Sequence, residues 1–453
     1  MKEKKKIYIE TYGCQMNFSD SEIVVSILSD SNYEPTSDPD SADVIFLNTC
    51  SIRENAEQRI RRRLQALRPM KKKRPGVVIG LLGCMAERLK EELLDQERVL
   101  DLVAGPDAYR DLPSLLEDVG TGRKGINTLL SSEETYADIT PVRYDTNGVS
   151  AFISIMRGCQ NFCSYCVVPN VRGSERSRDP DSIIREAREL VSGGFREVTL
   201  LGQNVNSYSF GPVNEKIFFP ELLERVSAVS PLLRIRFATS HPKDLSDELL
   251  QAMARHPNIC RSVHLPVQSG SNAVLERMNR GYTRESYLDR VGAIRRTLPG
   301  CTITTDIIAG FCDETEADHR DTLSLMEEVH FDGAFMFRYS ERPDTLAAER
   351  YTDSIPEETK KRRLKEIIAL QQKLSWQSNR IDLGKTFEVL VEGPSKRSAG
   401  DYSGRNSQNN VVVFPREDAN PGEYVRVAVR KCTSATLIGE TVPGECLTGI
   451  PEG

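Results

Sequence analysis

Cys159, Cys163 and Cys166 lie within RGCQNFCSYCVVP, three thiols in eight positions spaced Cys-x3-Cys-x2-Cys. Structural zinc normally takes four ligands, commonly from paired Cys-x2-Cys hooks, and no further cysteine stands between Cys84 and Cys260. Iron-sulfur clusters are held by closely spaced thiolates, and three ligands for four irons leave one iron open to something other than protein. A second trio is spread along the chain. Cys14, Cys50 and Cys84 each follow a strand-like apolar run, KIYIET, ADVIFLNT and GVVIGLLG. The carboxyl ends of strands in an open parallel sheet share one edge, where ligands bind, so these three thiols are expected to meet. A single such cysteine would ordinarily be a small buried hydrophobe; a threefold repeat of strand followed by cysteine points to ligands.

The elements that must position these thiols fall into three blocks. Residues 1–120 alternate apolar runs with charged periodic stretches, the pattern of a parallel α/β sheet covered by helices. Residues 121–148 are polar, rich in Ser, Thr, Gly and Asp, and read as a linker. Residues 149–380 give six strand candidates, AFISIM, EVTLLG, RIRFAT, SVHLPV, TITTDIIAG and GAFMFRYS, separated by helical segments such as DPDSIIREARELVSGG. That is the alternation of a partial (β/α)6 barrel, whose chemistry sits at the carboxyl ends of its strands. Cys159, Gln203 with Asn204, Ser240 with His241, Gln268 with Ser269, Asp306, and Tyr339 with Ser340 all fall at or just past such ends. A long helix from Pro356 stops near Gly384. Residues 381–453 then turn to short β-branched runs, KTFEVLVEG, NNVVVFP and EYVRVAVRKC, and predict a small all-β barrel.

At 453 residues the chain has room for about three domains, and 39% hydrophobic against 28% charged residues describe a globular protein. No stretch reaches the roughly 20 apolar residues of a membrane span, and the start MKEKKKIYIETYGC is too short and polar for a signal-peptide core. Eleven cysteines, an odd number, point to metal or redox chemistry in a reducing compartment, with the cytoplasm as the expected location. A net charge of -6 argues against binding nucleic acid over the whole surface. Two local basic runs, RIRRRLQALRPMKKKR from Arg59 to Arg74 and KKRR from Lys360 to Arg363, are either solvated helix faces or phosphate contacts.

The Cys-x3-Cys-x2-Cys spacing after the first strand of a β/α domain, with Tyr165 between the last two cysteines, resembles the signature of radical S-adenosylmethionine enzymes. Together with the upstream trio, the whole chain resembles the methylthiotransferases of that superfamily. The resemblance implies a [4Fe-4S] cluster on Cys159, Cys163 and Cys166 whose open iron chelates S-adenosylmethionine. It implies a second [4Fe-4S] cluster on Cys14, Cys50 and Cys84, and a C-terminal RNA-binding barrel of the TRAM type. One S-adenosylmethionine would methylate a sulfur on the second cluster, and another would be reduced and cleaved to a 5′-deoxyadenosyl radical. Gln203, Ser240, Gln268 and Arg280 sit where family members hold the methionine and ribose parts of the cofactor. Two departures stand out: LLGQN replaces the Gly-Gly-Glu that many members carry after the second strand, and Cys312-Asp313 stands where Pro-Gly is common. Cys312 is taken as a non-ligand, and Cys260, Cys301, Cys432 and Cys446 as structural.

The words TYGCQMNFSDSE, NTCSIRENAEQR, GCMAER and CVVPNVRGSERSR resemble the tRNA branch, which adds a methylthio group at C2 of N6-isopentenyladenosine next to the anticodon. The implied partners are a tRNA with isopentenylated adenosine in its anticodon loop, an electron donor, and a sulfur or cluster carrier, with no membrane and a monomeric enzyme. In the C-terminal barrel, Arg405, Asn406 and Asn410 are candidate RNA contacts. The alternatives are branches that modify a ribosomal-protein aspartate or threonylcarbamoyladenosine, and, in another class, a noncatalytic RNA-binding protein with structural metal.

Overall fold

A computed structural model describes residues 4–50, 54–144, 146–416 and 419–444, so Cys446 lies outside the described residues. The N-terminal body is a six-stranded, all-parallel sheet ordered β2-β1-β3-β4-β5-β6. Its strands are β1 (Lys5–Thr11), β2 (Tyr33–Pro35), β3 (Val44–Thr49), β4 (Val78–Gly83), β5 (Leu102–Ala104) and β6 (Gly125–Asn127). The three apolar runs read from the sequence are β1, β3 and β4, which lie side by side. Every residue of β3 is buried. One of its faces packs on a core containing Ile23, Leu28 and Tyr109, the other on one containing Ile60, Leu64 and Leu93. A strand covered on both faces reads as a continuous apolar run, which is why β3 shows no alternation.

The middle body contains β7 (Ser150–Ser154), a two-stranded ribbon of β8 (Met156–Arg157) and β9 (Arg176–Ser177), and then β10 (Glu197–Leu201). A second ribbon, β11 (Ser209–Phe210) with β12 (Ile217–Phe218), precedes β13 (Arg234–Phe237), β14 (Ser262–His264), β15 (Thr302–Ala309) and β16 (Gly333–Arg338). Strands β7, β10 and β13 form one parallel sheet and β14, β15 and β16 another, with a bridge between Ile235 and Ile259 joining the two. All six candidate strands of the partial barrel are present. Among the described residues β7 and β16 do not pair, so the barrel stays open on that side. Four of its covering helices begin at side-chain caps; Asp179, Ser246, Thr283 and Thr315 each accept a hydrogen bond from the backbone N–H three residues on, each cap contributing about 1 kcal/mol.

The C-terminal body is a closed barrel in the order β17-β18-β19-β21-β20, from β17 (Thr386–Pro394), β18 (Asp401–Asn406), β19 (Val411–Pro415), β20 (Tyr424–Cys432) and β21 (Leu437–Thr441). Its turn after β18 docks where β13 and β15 start, at the end of the middle body opposite the cysteines. Arg234 Nη1 donates to Arg405 O at 2.6 Å, Arg236 Nη2 to Asn406 O at 2.8 Å, and Thr302 Oγ1 to Gln408 O at 2.7 Å. This corrects the expectation for Asn406, which is closed to RNA by the docking, while the side chains of Arg405 and Asn410 stay partly exposed. Asn406 is fully buried, Arg405 pairs with Glu392 at 3.2 Å, and Asn410 donates a backbone bond to Asn406 Oδ1 at 2.8 Å. The exposed carbonyls of a tight turn need donors, and the strand-start arginines supply them.

Residues 121–148, expected as a linker, carry β6 and a strap packed against both bodies. Tyr136 is buried, stacks on Tyr109 at 5.8 Å between ring centroids, and donates to Pro106 O at 3.0 Å. Arg143 pairs with both Glu22 and Glu186. The basic runs are largely absorbed within the protein. Arg68 meets Glu97 at 3.2 Å, Lys71 meets Asp101 at 2.6 Å, Lys360 meets Asp353 at 2.6 Å and Arg363 meets Glu314 at 2.9 Å. Among the described residues no helix is long and apolar enough to cross a membrane.

Candidate active site

The upstream trio assembles at the carboxyl edge of β1, β3 and β4, where register places Thr11 beside Asn48 and Thr49 beside Gly83. Cys14 immediately precedes the helix Gln15–Ser29 and Cys84 begins the helix Cys84–Gln96, positions where unpaired N–H groups and the helix dipole favour a thiolate. Each of these two cysteines follows a glycine that no other residue can replace without distortion. A Cβ on Gly13 (φ +121°) would collide with Cys50 Cβ, and one on Gly83 (φ +87°) would stand 2.5 Å from Asn48 Oδ1. The Cys14 and Cys50 side chains are hydrogen-bonded, and that bond, with help from the Arg172 charge, lowers the Cys14 thiol from its ordinary value despite burial. Burial pushes the Cys84 thiol up, although Arg172 Nε donates to its sulfur at 3.3 Å.

The second trio comes from one loop after β8. Ser164 anchors that loop, its N–H donating to Met278 O at 2.9 Å and its Oγ to Arg277 O at 2.8 Å. Arg280, buried beside it, donates from Nη1 to Cys163 Sγ at 3.0 Å, from Nη2 to Pro266 O at 2.8 Å and from Nε to Tyr282 Oη at 2.9 Å. Burial raises Cys159 to about 11 and Cys166 to about 12, so an iron that binds them has to displace their protons.

Five of the six cysteines, Cys14, Cys84, Cys159, Cys163 and Cys166, line one cavity of about 300 Å³; Cys50 is hydrogen-bonded to Cys14 and is not part of the lining. Gln203, Ser240, Gln268 and Arg280, four residues singled out by sequence, line it too. Arg280 has its donors committed to holding Cys163 and the Pro266 carbonyl. Gln203 Oε1 and Ser240 Oγ are buried without partners, as is Nε2 of His241, a third lining residue. Buried polar atoms left unpaired are costly, and three around one cavity fit a polar ligand such as the amino-acid and ribose groups of S-adenosylmethionine. Burial and the Arg280 charge hold the His241 imidazole at about 2, so it is neutral near pH 7 and available as a hydrogen-bonding group. Backbone strain gathers here as well: Phe162, Thr239, Gln268 and Asn279 have φ of +47°, +72°, +71° and +55°.

Among the described residues no three His, Cys, Asp or Glu side chains close around a single ion. A cubane asks for something looser, because each thiolate holds its own iron, whereas zinc draws its sulfurs to about 3.8 Å of one another. Cys260, Cys301, Cys312 and Cys432 do not line the cavity; Cys312 packs with Phe311 and Tyr339.

Sequence reading missed Arg157, Arg172, Arg176, Asp20 and Asp107, which tie the two bodies together beside the upstream trio. Arg157 Nη1 donates to Asp20 Oδ1 at 2.8 Å, Arg172 Nη2 to Asp20 Oδ2 at 2.7 Å, and Arg176 Nη2 to Asp107 Oδ2 at 2.9 Å. Burial works to raise the Asp20 carboxyl, and the two guanidinium charges outweigh it, leaving it below the ordinary carboxylate range. The available signal was the density of arginines in CVVPNVRGSERSR, which a surface reading passes over.

Three family descriptions match the chain: uncharacterized protein family UPF0004 over residues 6–105, the Radical SAM superfamily over 153–326 and the TRAM domain over 382–442. A tRNA-2-methylthio-N(6)-dimethylallyladenosine synthase of Amoebophilus asiaticus is 56% identical over 448 residues, covering 96% of this chain and 92% of that one. One from Chloroherpeton thalassium is 56% identical over 440 residues, covering 97% of each. Among solved structures, the radical S-adenosylmethionine methyltransferase TsrM from Kitasatospora setae, with cobalamin and a [4Fe-4S] cluster bound, superposes with a TM-score of 0.56 at 14% identity. That match covers 76% of this chain and 77% of that one and is a likeness of fold.

Proposed function

The chain belongs to the tRNA-2-methylthio-N(6)-dimethylallyladenosine synthase family, whose members are radical S-adenosylmethionine enzymes, and on that premise we propose how its residues divide the work. The reaction adds a methylthio group at C2 of N6-isopentenyladenosine next to the tRNA anticodon. The observation that carries the assignment of roles is the one cavity lined by cysteines of both trios, Cys14 and Cys84 from the first and Cys159, Cys163 and Cys166 from the second.

Cys159, Cys163 and Cys166 hold one [4Fe-4S] cluster, Cys14, Cys50 and Cys84 the other. When bound, the first cluster with S-adenosylmethionine supplies a 5′-deoxyadenosyl radical, and the second supplies the sulfur. An adenine C2–H bond is not acidic, and side-chain acid-base catalysis, worth about 10² to 10⁴-fold, does not open it. The protein binds, orients and excludes water. Gln203, Ser240 and His241 offer their unpaired polar atoms to the cofactor, Gln268 supports it from the end of β14, and Arg280 keeps Cys163 in place. The C-terminal barrel belongs to the TRAM type and contributes to tRNA binding through faces other than its docked turn. An electron donor and a sulfur or cluster carrier serve the two clusters, and the enzyme works as a cytoplasmic monomer.

The test is anaerobic reconstitution followed by nucleoside mass spectrometry of an isopentenylated anticodon stem-loop. About eight irons per chain, reductive formation of 5′-deoxyadenosine and a methylthio mass gain are expected. Formation of 5′-deoxyadenosine with no mass gain on that stem-loop contradicts the substrate assignment.

A further inference from the structure

Arg172 belongs by sequence to the middle body, six residues after Cys166, yet its guanidinium serves the other trio. Nε donates to Cys84 Sγ at 3.3 Å, and Nη2 donates to Asp20 Oδ2 at 2.7 Å and to Asn17 Oδ1 at 3.2 Å. The third nitrogen, Nη1, is buried without a partner, and the residue lines the cavity between the trios. An unsatisfied guanidinium N–H is costly in a buried site, so its retention calls for an acceptor. Asp20, fully buried, is shared with Arg157, which fixes the Arg172 fork from behind.

We infer that Arg172 is a positioning residue by which the radical core grips the upstream trio: it holds the Cys84 sulfur, offers Nη1 to an anionic sulfur of the group bound there, and with Asp20 sets the charge that group experiences. The inference rests on Cys14, Cys50 and Cys84 being cluster ligands. Cluster potentials respond to net charge and to hydrogen bonds on sulfur, so the two halves of the pair act with opposite sign. Removing the cation disfavours the added electron, and removing the carboxylate favours it.

The experiment is a potentiometric titration of the full-length, two-cluster enzyme followed by electron paramagnetic resonance, with signals assigned by their response to S-adenosylmethionine. Arg172→Met is expected to shift the upstream cluster to lower potential and Asp20→Asn to higher potential. Arg172→Lys, which keeps charge but loses the fork, is expected to move it less than Arg172→Met. The Cys159 cluster should move less than the upstream one in every variant. Shifts of the same sign in Arg172→Met and Asp20→Asn, or no shift, overturn the inference. If Arg172→Met does not retain iron on the upstream trio, the opposed signs of Arg172→Lys and Asp20→Asn decide. Equal loss of iron from both trios in all three variants overturns it too, as that is the mark of general unfolding. About four irons in the unsubstituted chain would instead defeat the ligand reading beneath it.

Discussion

The two trios reach one cavity by different routes. The downstream three come from a single loop and need only local anchoring, by Ser164 and Arg280. The upstream three come from three adjacent strands and need a whole parallel sheet, two left-handed glycines and an arginine lent by another body. Each trio has one sulfur bonded by one buried guanidinium, Arg172 to Cys84 and Arg280 to Cys163. The compensation differs: Arg172 shares Asp20, whereas Arg280 meets a carbonyl, phenols and a thiol but, among the described residues, no carboxylate. A cation without a protein counter-ion suits a site that must take up an electron and an anionic cofactor group. A cation already paired suits one that must keep its sulfur electron-rich.

The sharpest break in this comparison is at the ligands. Cys84→Ser is expected to lose about four irons and all methylthio transfer while 5′-deoxyadenosine still forms, and Cys163→Ser to lose both activities; iron analysis with product mass spectrometry reads this. Next in size is Arg157→Met, which leaves Asp20 and Asp107 each with one guanidinium fewer in a buried network and should cost about 3 to 5 kcal/mol in chemical denaturation. Glu87, in the upstream body, is smaller. Its Oε2 is buried and unpaired, and burial raises its carboxyl from 4.5 to about 7. The folded chain thus holds a proton the unfolded chain has released, and stability falls as pH rises from 4.5 through 7. Glu87→Gln should flatten that slope and, after allowing for solvent screening, exceed the parent by about 1 kcal/mol at pH 8 in thermal melts. Smallest is Arg68→Ala in the basic helix. Arg68 is half exposed and Glu97 keeps a second partner in Arg61 at 3.5 Å, so the loss is below about 1 kcal/mol, and affinity for the anticodon stem-loop, measured by fluorescence anisotropy, should not change.

Much of this was legible in the sequence because it rests on apolar periodicity. Strands β1, β3, β4 and all six of the partial barrel announce themselves as runs, and a cysteine after a strand end is a position that topology fixes. What escaped is held by polar groups. Tyr136 and Arg143 make a packed strap of a stretch whose composition reads as linker, since ring stacking and ion pairs have no period. Asp20 and Arg157 look like surface charges until folding brings their opposite partners together from residues more than a hundred positions apart. Asn406 reads as a turn residue; that the turn is buried under Arg236 depends on a docking that neither segment encodes alone.

The claim that two clusters face each other across one cavity is tested most directly by the resonance spectrum of the doubly reduced enzyme. Dipolar coupling between close clusters should broaden it relative to the sum of the spectra of Cys84→Ser and Cys163→Ser, each holding one cluster. A spectrum equal to that sum would place the clusters apart and contradict the account.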